Sequence, residues 1–543
     1  MQYHFKAQGT RHKHWQTYVL NLSNNPIRQV FTRSSFISSK LSLELFSKLS
    51  TKLFSKIPLA LAPLLLLLYS LESQALSATT SERIHGTAPY LTFDGGVTKV
   101  TEIRELLGIK LSDGRTFTPQ NNPSSSTAPI ELSNVGDTLA DIEMIVPSSS
   151  DSININDLVT QGKWGDDDGD GQGVDGVSAS GSISLVIKDK DGNTVNRSDA
   201  LSLCKAPYKV TLDSSGGALE TRYGMPNSSR LYGGAAEYYI TLPPHPIICS
   251  VRPNLVFGGT VGIEAWDNPR FAGPASIWNS EKGFLDVFTN SSSYDRNFPT
   301  TGADGLYFDL VIVGVDASQL SWSVYTSGDI IATLRWTRPL SGTFTDPEGN
   351  TIPADEWITD KSKNVTRVTL NGPEARSWWS NSNPNRITVP SLPQTFELVG
   401  RDNNGNEVRY GFKLRQWFVN RGDQFKTYSE QLAWCNSLGY RMPRVRDLTN
   451  AVCSGWGSGS WCQGALGSTP SSSNNAYQRH IGAGFFTEWG AMYGYADAGF
   501  INTLKYYWTS DARGNNQFNV SSLDGYVDNN SVSWSYYAVC TTP

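Results

Sequence analysis

Carboxylates gathered on one loop are the plainest offer of chemistry in this sequence. Asp166-Asp167-Asp168-Gly169-Asp170-Gly171 contains D-x-D-x-D-G. Oxygens at alternate positions of such a loop converge on one hard cation, and glycine at the sixth position permits the sharp turn. The twelfth position is Val177 rather than a bidentate Glu, so Asp175 would have to substitute. Asp166, Asp168, Asp170 and Asp175 are thus the candidate ligands for Ca2+, against the plainer reading of a solvated acidic turn between strands. Acid–base or nucleophilic chemistry has less to work with. Beyond the basic N-terminal segment the histidines are His85, His245 and His480, each isolated, and H-E-x-x-H, G-x-S-x-G and P-loop spacings are absent. No catalytic residue is assigned, and the chain reads as a non-enzyme.

Aromatic side chains are the second resource, because they anchor most binding interfaces. Trp456, Trp461, Trp489 and Tyr493 are the candidate ligand-binding residues. Trp456 and Trp461 lie on the Gly/Ser-rich stretch SGWGSGSW between Cys453 and Cys462, which favours their exposure, whereas Trp508 and Trp534 read as core.

These residues need elements to hold them, and residues 427–450 supply the organising one. Thr427 and Glu430 have capping-box spacing. Tyr428, Leu432 and Cys435 recur at i, i+4 and i+7, and Gly439 is a natural helix stop. Pro443 is placed to open a second helix with Val445, Leu448 and Val452 on one stripe. The chain closes on the apolar, strand-like run Tyr536-Tyr537-Ala538-Val539-Cys540, and Tyr506-Tyr507-Trp508-Thr509-Ser510 reads as a central strand.

This arrangement resembles the C-type lectin-like fold, with a cysteine in its first helix, a G-x-(R/K)-(L/M)-P turn (here Gly439-Tyr440-Arg441-Met442-Pro443) and a closing strand bearing the partner cysteine. With residues 409–423, RYGFKLRQWFVNRGD, it resembles the C-terminal adhesion domain of invasin/intimin-type surface proteins of enteric bacteria, most clearly over about the last 150 residues. The expected pairing of the six cysteines, one of several they allow, is Cys204–Cys249, Cys435–Cys540 and Cys453–Cys462. In the chain-entropy model the long Cys435–Cys540 loop contributes about 4–5 kcal/mol. The family's calcium-dependent sugar triplets (E-P-N or Q-P-D, and W-N-D) are missing from 427–543, which argues against metal-dependent sugar binding. Arg421-Gly422-Asp423 spells the tripeptide that integrins read, but it also sits where an Asp would shape the turn before the helix.

Upstream, the text is that of β structure. Residues 183–187 and 395–399 each run into D-x-x-G-N (Asp189–Asn193, Asp402–Asn406), the strand–turn–strand grammar of Ig-like sandwiches, and Asp346–Asn350 repeats the turn. Aromatics at 11% with 49 Gly and 27 Pro suit such domains. The expected division is a leader at 1–77 with an apolar signal core at 57–69, an Ig-like domain at 78–200, a second β domain at 201–376 bridged internally by Cys204–Cys249, a linker at 377–394, and the α+β lectin-like domain at 395–543. Thirteen apolar residues are too few to span a membrane and fit a signal peptide. Without the leader, 36 basic side chains face 48 acidic ones, which disfavours nucleic acid as a partner.

The sequence therefore predicts an exported protein, at the cell surface, in the outer membrane or secreted, that binds a host or neighbour-cell protein or glycan. It carries no transmembrane span, so any anchor comes from another chain. The competing readings are an assembly component of the envelope or a filament, and a secreted enzyme on the lectin-like fold of the formylglycine-generating oxidases.

Overall fold

The computed structural model describes residues 4–8, 15–19 and 85–543, apart from 170, 172–175, 223, 260–266 and 503–504. The signal core expected at 57–69 lies outside the described residues. Two units are distinguished, Met1–Arg83 and Ile84–Pro543. In the first, His4–Gln8 and Trp15–Val19 pair antiparallel. Among the described residues no helix is long and apolar enough to cross a membrane.

The second unit is mostly β, with sandwich-like sheets upstream and an α+β domain at the C-terminus. Its first sheet is built on Val177–Lys188, Tyr208–Thr221 and Gly234–Thr241, all antiparallel. Ile183, Leu185 and Ile187, with Val210, Leu212, Tyr238 and Ile240 across the ladder, alternate with more exposed neighbours and form one buried face. This apolar core runs from Leu91 to Leu242, and a separate one runs from Ile248 to Cys540. The core break therefore falls at 243–247, not at 200/201, because the strands on either side of residue 200 pair with each other. Cys204 and Cys249 are joined, with Cα atoms 5.3 Å apart, and tie the two cores together rather than bridging within one.

In the second core, Ile247–Arg252, Tyr307–Val313, Val365–Asn371 and Ile331–Thr337 form the body of a six-stranded sheet. Its Phe308 meets Tyr410 and Phe412 of a three-stranded sheet, Ser321–Thr326, Gln394–Arg401 and Glu407–Leu414. The expected linker is part of the packing, with Trp379, Ile387, Val389 and Leu392 against the core. The C-terminal domain then grows directly from the sandwich. Gln416–Asn420 pairs antiparallel with the closing strand Val539–Thr542 and parallel with the upstream strand Thr301–Ala303. Cys435 and Cys540 are joined, 5.4 Å apart at Cα, fixing helix Tyr428–Leu438 to that closing strand.

That helix starts as its capping box requires, with Thr427 N donating to Glu430 Oε2 at 3.0 Å, and stops at left-handed Gly439. Its most buried side chains are Gln431, Trp434, Cys435 and Leu438, a face rotated from the predicted one. The cause is Gln431, whose Nε2 donates to the Gln424 and Tyr536 carbonyls (2.6 and 2.8 Å). The second helix is Val445–Leu448 alone; Thr449 is extended, so Val452 lies beyond it.

One carboxylate fastens the short helix Phe485–Trp489 to the upstream strand Thr301–Ala303. Glu488 is fully buried and accepts from Thr300 N and Oγ1 (3.1 and 2.8 Å), Thr301 N and Oγ1 (3.0 and 2.5 Å) and Gly482 N (2.7 Å). Burial pushes its pKa up, and the donors oppose that shift. Beside it, buried Arg479 donates to the Thr487 and Glu488 carbonyls and to Asn254 O.

The three D-x-x-G-N turns share one device. In each the Asp carboxylate accepts from the backbone N–H groups two and four residues on and from the Asn side chain, as Asp402 does from Asn404, Asn406 and Asn406 Nδ2 at 2.8–2.9 Å. Gly192, Gly349 and Gly405 supply the left-handed residue. The Asn406 side chain and these N–H groups hold Asp402 below the usual carboxylate range. Its contribution to stability is complete above the unfolded pKa and is lost as pH falls through the folded one. Melting temperatures of wild type and Asp402→Ala should differ at neutral pH and converge in acid; a gap constant with pH would exclude the carboxylate's role.

Removing the clamp has a larger expected effect. Glu488→Gln turns an amide N–H2 toward donors, and should destabilise the second core by about 3 kcal/mol. By the same reasoning a 395–543 fragment, deprived of Thr300 and Thr301, should lack the dispersed amide spectrum of a folded domain while a 244–543 fragment shows it.

Candidate functional site

Residues 453–462 form a loop held at both ends and across its middle. Cys453 and Cys462 are joined, 5.3 Å apart at Cα. Gly455 and Gly457 both take positive φ (59° and 73°). A Cβ on Gly457 would come within 2.8 Å of the Tyr526 ring, so glycine is demanded twice over. Trp456 N donates to Asn474 Oδ1 and Asn475 N donates to Trp456 O, both at 3.0 Å. Asn475 Nδ2 donates to Gly457 O (3.0 Å) and Val527 O (2.9 Å), stitching the loop to the sheet. That sheet consists of Tyr506–Arg513, Asn516–Ser521 and Val527–Ser531. From its strands Arg513 donates to Ser460 O and Asn529 to Trp461 O.

On this frame Trp456 and Trp461 remain 45% and 40% exposed. The Trp461 indole N–H is spent inside the loop on Gly457 O at 3.0 Å. One face of Trp456 is covered by the Arg270 guanidinium, 4.2 Å from the ring centroid, and Phe271 and Tyr526 stand edge-on beside it. The upstream region thus helps to orient a residue of this loop.

The other aromatic candidates are placed differently. Trp489 is wholly buried, its Nε1 donating to Thr301 O at 3.0 Å and its ring against Phe298. Tyr493 is buried too, its hydroxyl on Glu356 Oε1 at 2.6 Å. Neither can meet a ligand in this fold: short helix Phe485–Trp489 is buried between the upstream strand and the C-terminal domain, and Tyr493 in the turn after it is buried too, which local spacing does not announce. Trp508 is core, whereas Trp534, read as core, is 56% exposed on the turn between Val527–Ser531 and Ser535–Tyr536. Exposed Phe425 stands edge-on to Tyr536, the ring that Trp534 also meets, and was not a sequence candidate.

Arg421-Gly422-Asp423 is not displayed as a tripeptide. Arg421 is only 2% exposed; it lies over the Trp434 ring at 4.9 Å and donates to Gln431 Oε1 at 2.7 Å. Burial lowers its pKa to about 10.

Of the acidic loop, Asp170 and Asp175 lie outside the described residues. Asp166 Oδ2 accepts from Gly171 N (2.6 Å) and Asp168 Oδ2 from Thr87 N (3.0 Å), while Asp167 pairs with Lys99 and Tyr90. Among the described residues no three His, Cys, Asp or Glu side chains gather as metal ligands would. Buried ionisable groups are engaged in structure, as Arg367 is with Asp309 (2.9 Å) and Asp355 (2.8 Å). All six cysteines are bridged.

Comparison with known proteins agrees with an adhesin-like module. No family model matches the chain. Over 153 residues, 27% of this chain, it is 28% identical to the inverse autotransporter adhesin YeeJ of Escherichia coli K12. The chain resembles the invasin/intimin-type adhesins. It spans only 5% of the length of YeeJ. Among solved structures, invasin, titled a bacterial integrin-binding protein, overlaps 68% of this chain and 52% of its own at 11% identity and a TM-score of 0.29. An EHEC O157:H7 intimin mutant overlaps 49% of this chain and 93% of its own at 15% identity and a TM-score of 0.21. Superpositions this loose carry no argument alone.

The frame of this loop makes a specific demand. Gly457→Ala adds a Cβ against Tyr526 at a left-handed residue, and should destabilise by about 1–3 kcal/mol. Chemical denaturation checks this; a loss within error would mean that the loop is not held as described.

Proposed function

We propose that this chain is an exported, adhesin-like surface protein whose C-terminal domain binds a protein or glycan on a host or neighbouring cell. The observation that carries the reading is the half-exposed pair Trp456 and Trp461 on a disulfide-closed, cross-braced loop. Aromatic rings held in place before contact give up little conformational entropy on binding. The upstream sandwich acts as the support of the tip, through Arg270 over Trp456 and the Glu488 clamp. The likeness to an inverse autotransporter adhesin supports the same assignment. Ca2+ at Asp166–Asp175 is not required by this mode of binding, because stacking and apolar contact at the tip need no metal.

The test uses the full exported chain on cultured epithelial cells and on a mixed glycan panel, with and without chelator. Trp456→Ala and Trp461→Ala should each lower saturable binding by at least tenfold with melting temperature unchanged, and chelator should have no effect. Binding unaltered in the double variant would remove the tip from the account.

A further inference from the structure

The sheet that braces the Cys453–Cys462 loop carries a half-buried carboxylate that no cation meets. Trp508, Asn519 and Asp528 stand opposite one another in its register and so share a face; the other face, with Tyr507, Val520 and Val527, is core. Tyr536 lies over the Asp528 face. Its ring meets Trp508 edge-on at 4.9 Å and Tyr506 at 5.8 Å, and its hydroxyl donates to Asn530 Oδ1 at 2.9 Å. Asn530 follows Asp528 on the same strand and points to the same side. Trp534, largely exposed, stands 6.4 Å from the Tyr536 ring. Aromatic rings thus gather beside one carboxylate, and Tyr526 at the edge of the group also meets Trp456 edge-on at 6.4 Å.

Asp528 Oδ1 accepts from Asn529 N at 2.7 Å, and among the described residues no Lys or Arg acts on this carboxylate. Burial pushes its pKa up. Burial first, and then nearby carboxylates with Asp528 among them, also raises the hydroxyls of Tyr506, Tyr526 and Tyr536. Lys426 lies opposite Tyr536 on the neighbouring strand, but its charge falls on Glu430. The surface is therefore negative twice over, through the carboxylate and through the ring faces, and a cation gains from both. An anion would be repelled, and a neutral group would leave the carboxylate without a counter-charge. A quaternary ammonium brings no N–H for the carboxylate, whereas a guanidinium stacks on rings and donates to oxygen at once. The geometry points to Asp528, Tyr506, Tyr536 and Trp534 as a cradle for an arginine side chain of a partner protein, beside the Trp456 loop. This rests on the reading of the C-terminal domain as a binding module and names the chemistry of its partner.

Fluorescein-labelled peptides alternating glycine with arginine, lysine, citrulline or glutamate would be titrated into the full chain by fluorescence anisotropy, with phosphatidylcholine vesicles as the lipid arm. The arginine peptide should saturate, the lysine peptide should bind more weakly, and the citrulline and glutamate peptides should not bind. Asp528→Asn should weaken the arginine peptide about tenfold. It should not lower the melting temperature, because it removes a desolvated charge that has no counter-ion. Trp534→Ala should weaken binding several-fold. Asp213→Asn, at an exposed carboxylate of the first sheet, should leave it unchanged, which excludes bulk attraction to an acidic surface. The proposal is overturned if the arginine peptide does not saturate, if citrulline serves as well, if Asp528→Asn binds as wild type does, or if only the vesicles bind. Any of these results with cell binding through Trp456 and Trp461 intact removes the cradle alone; a saturating arginine peptide without cell binding keeps the cradle and removes the adhesin reading.

Discussion

A single buried carboxylate governs how this molecule is put together. Glu488 belongs to the C-terminal domain, yet most of its donors come from Thr300 and Thr301, nearly two hundred residues earlier. An unpaired carboxylate in that position would be prohibitively costly. The upstream strand Thr301–Ala303 must therefore lie where it does, beside Gln416–Asn420. Once it is there, Trp489, Phe298 and Phe308 close over one continuous core shared by the sandwich and the C-terminal α+β domain.

That continuity matters for the binding surface proposed here. Loops on a mobile domain lose entropy when a partner holds them, whereas loops on this frame are already held. Arg270 over Trp456 shows the coupling at its most direct, since a residue upstream of the C-terminal α+β domain packs on an indole of the Cys453–Cys462 loop. The Cys204–Cys249 bridge carries the constraint one step further, from the second core to the first.

Much of this was legible in the sequence where the causes are local. The Thr427–Glu430 box, the Gly439 stop and the D-x-x-G-N turns depend on neighbours within four residues, and they form as their spacing requires. What was not legible depends on distant chain. Trp489 and Tyr493 looked available because nothing nearby in sequence covers them; Thr301 and Glu356 do so from far upstream. Arg421 looked like a recognition motif until Gln431 and Trp434 enclosed it. Residues 377–394 looked like a linker because they are rich in Ser, Asn and Pro, but their few apolar side chains reach the core. Trp534 erred in the other direction: an aromatic near a closing strand suggests burial, and the turn after Ser531 carries it outward.

Native-state hydrogen exchange across 248–543 addresses the central claim most directly, because it reads opening free energy strand by strand. If sandwich and C-terminal α+β domain form one body, amides of Tyr307–Val313 and of Gln416–Asn420 exchange with the same, highest opening free energy and the same denaturant dependence. If the amides of Gln416–Asn420 and Val539–Thr542 stay protected while Tyr307–Val313 opens at lower cost, the two regions are independent domains and the single-body account is wrong.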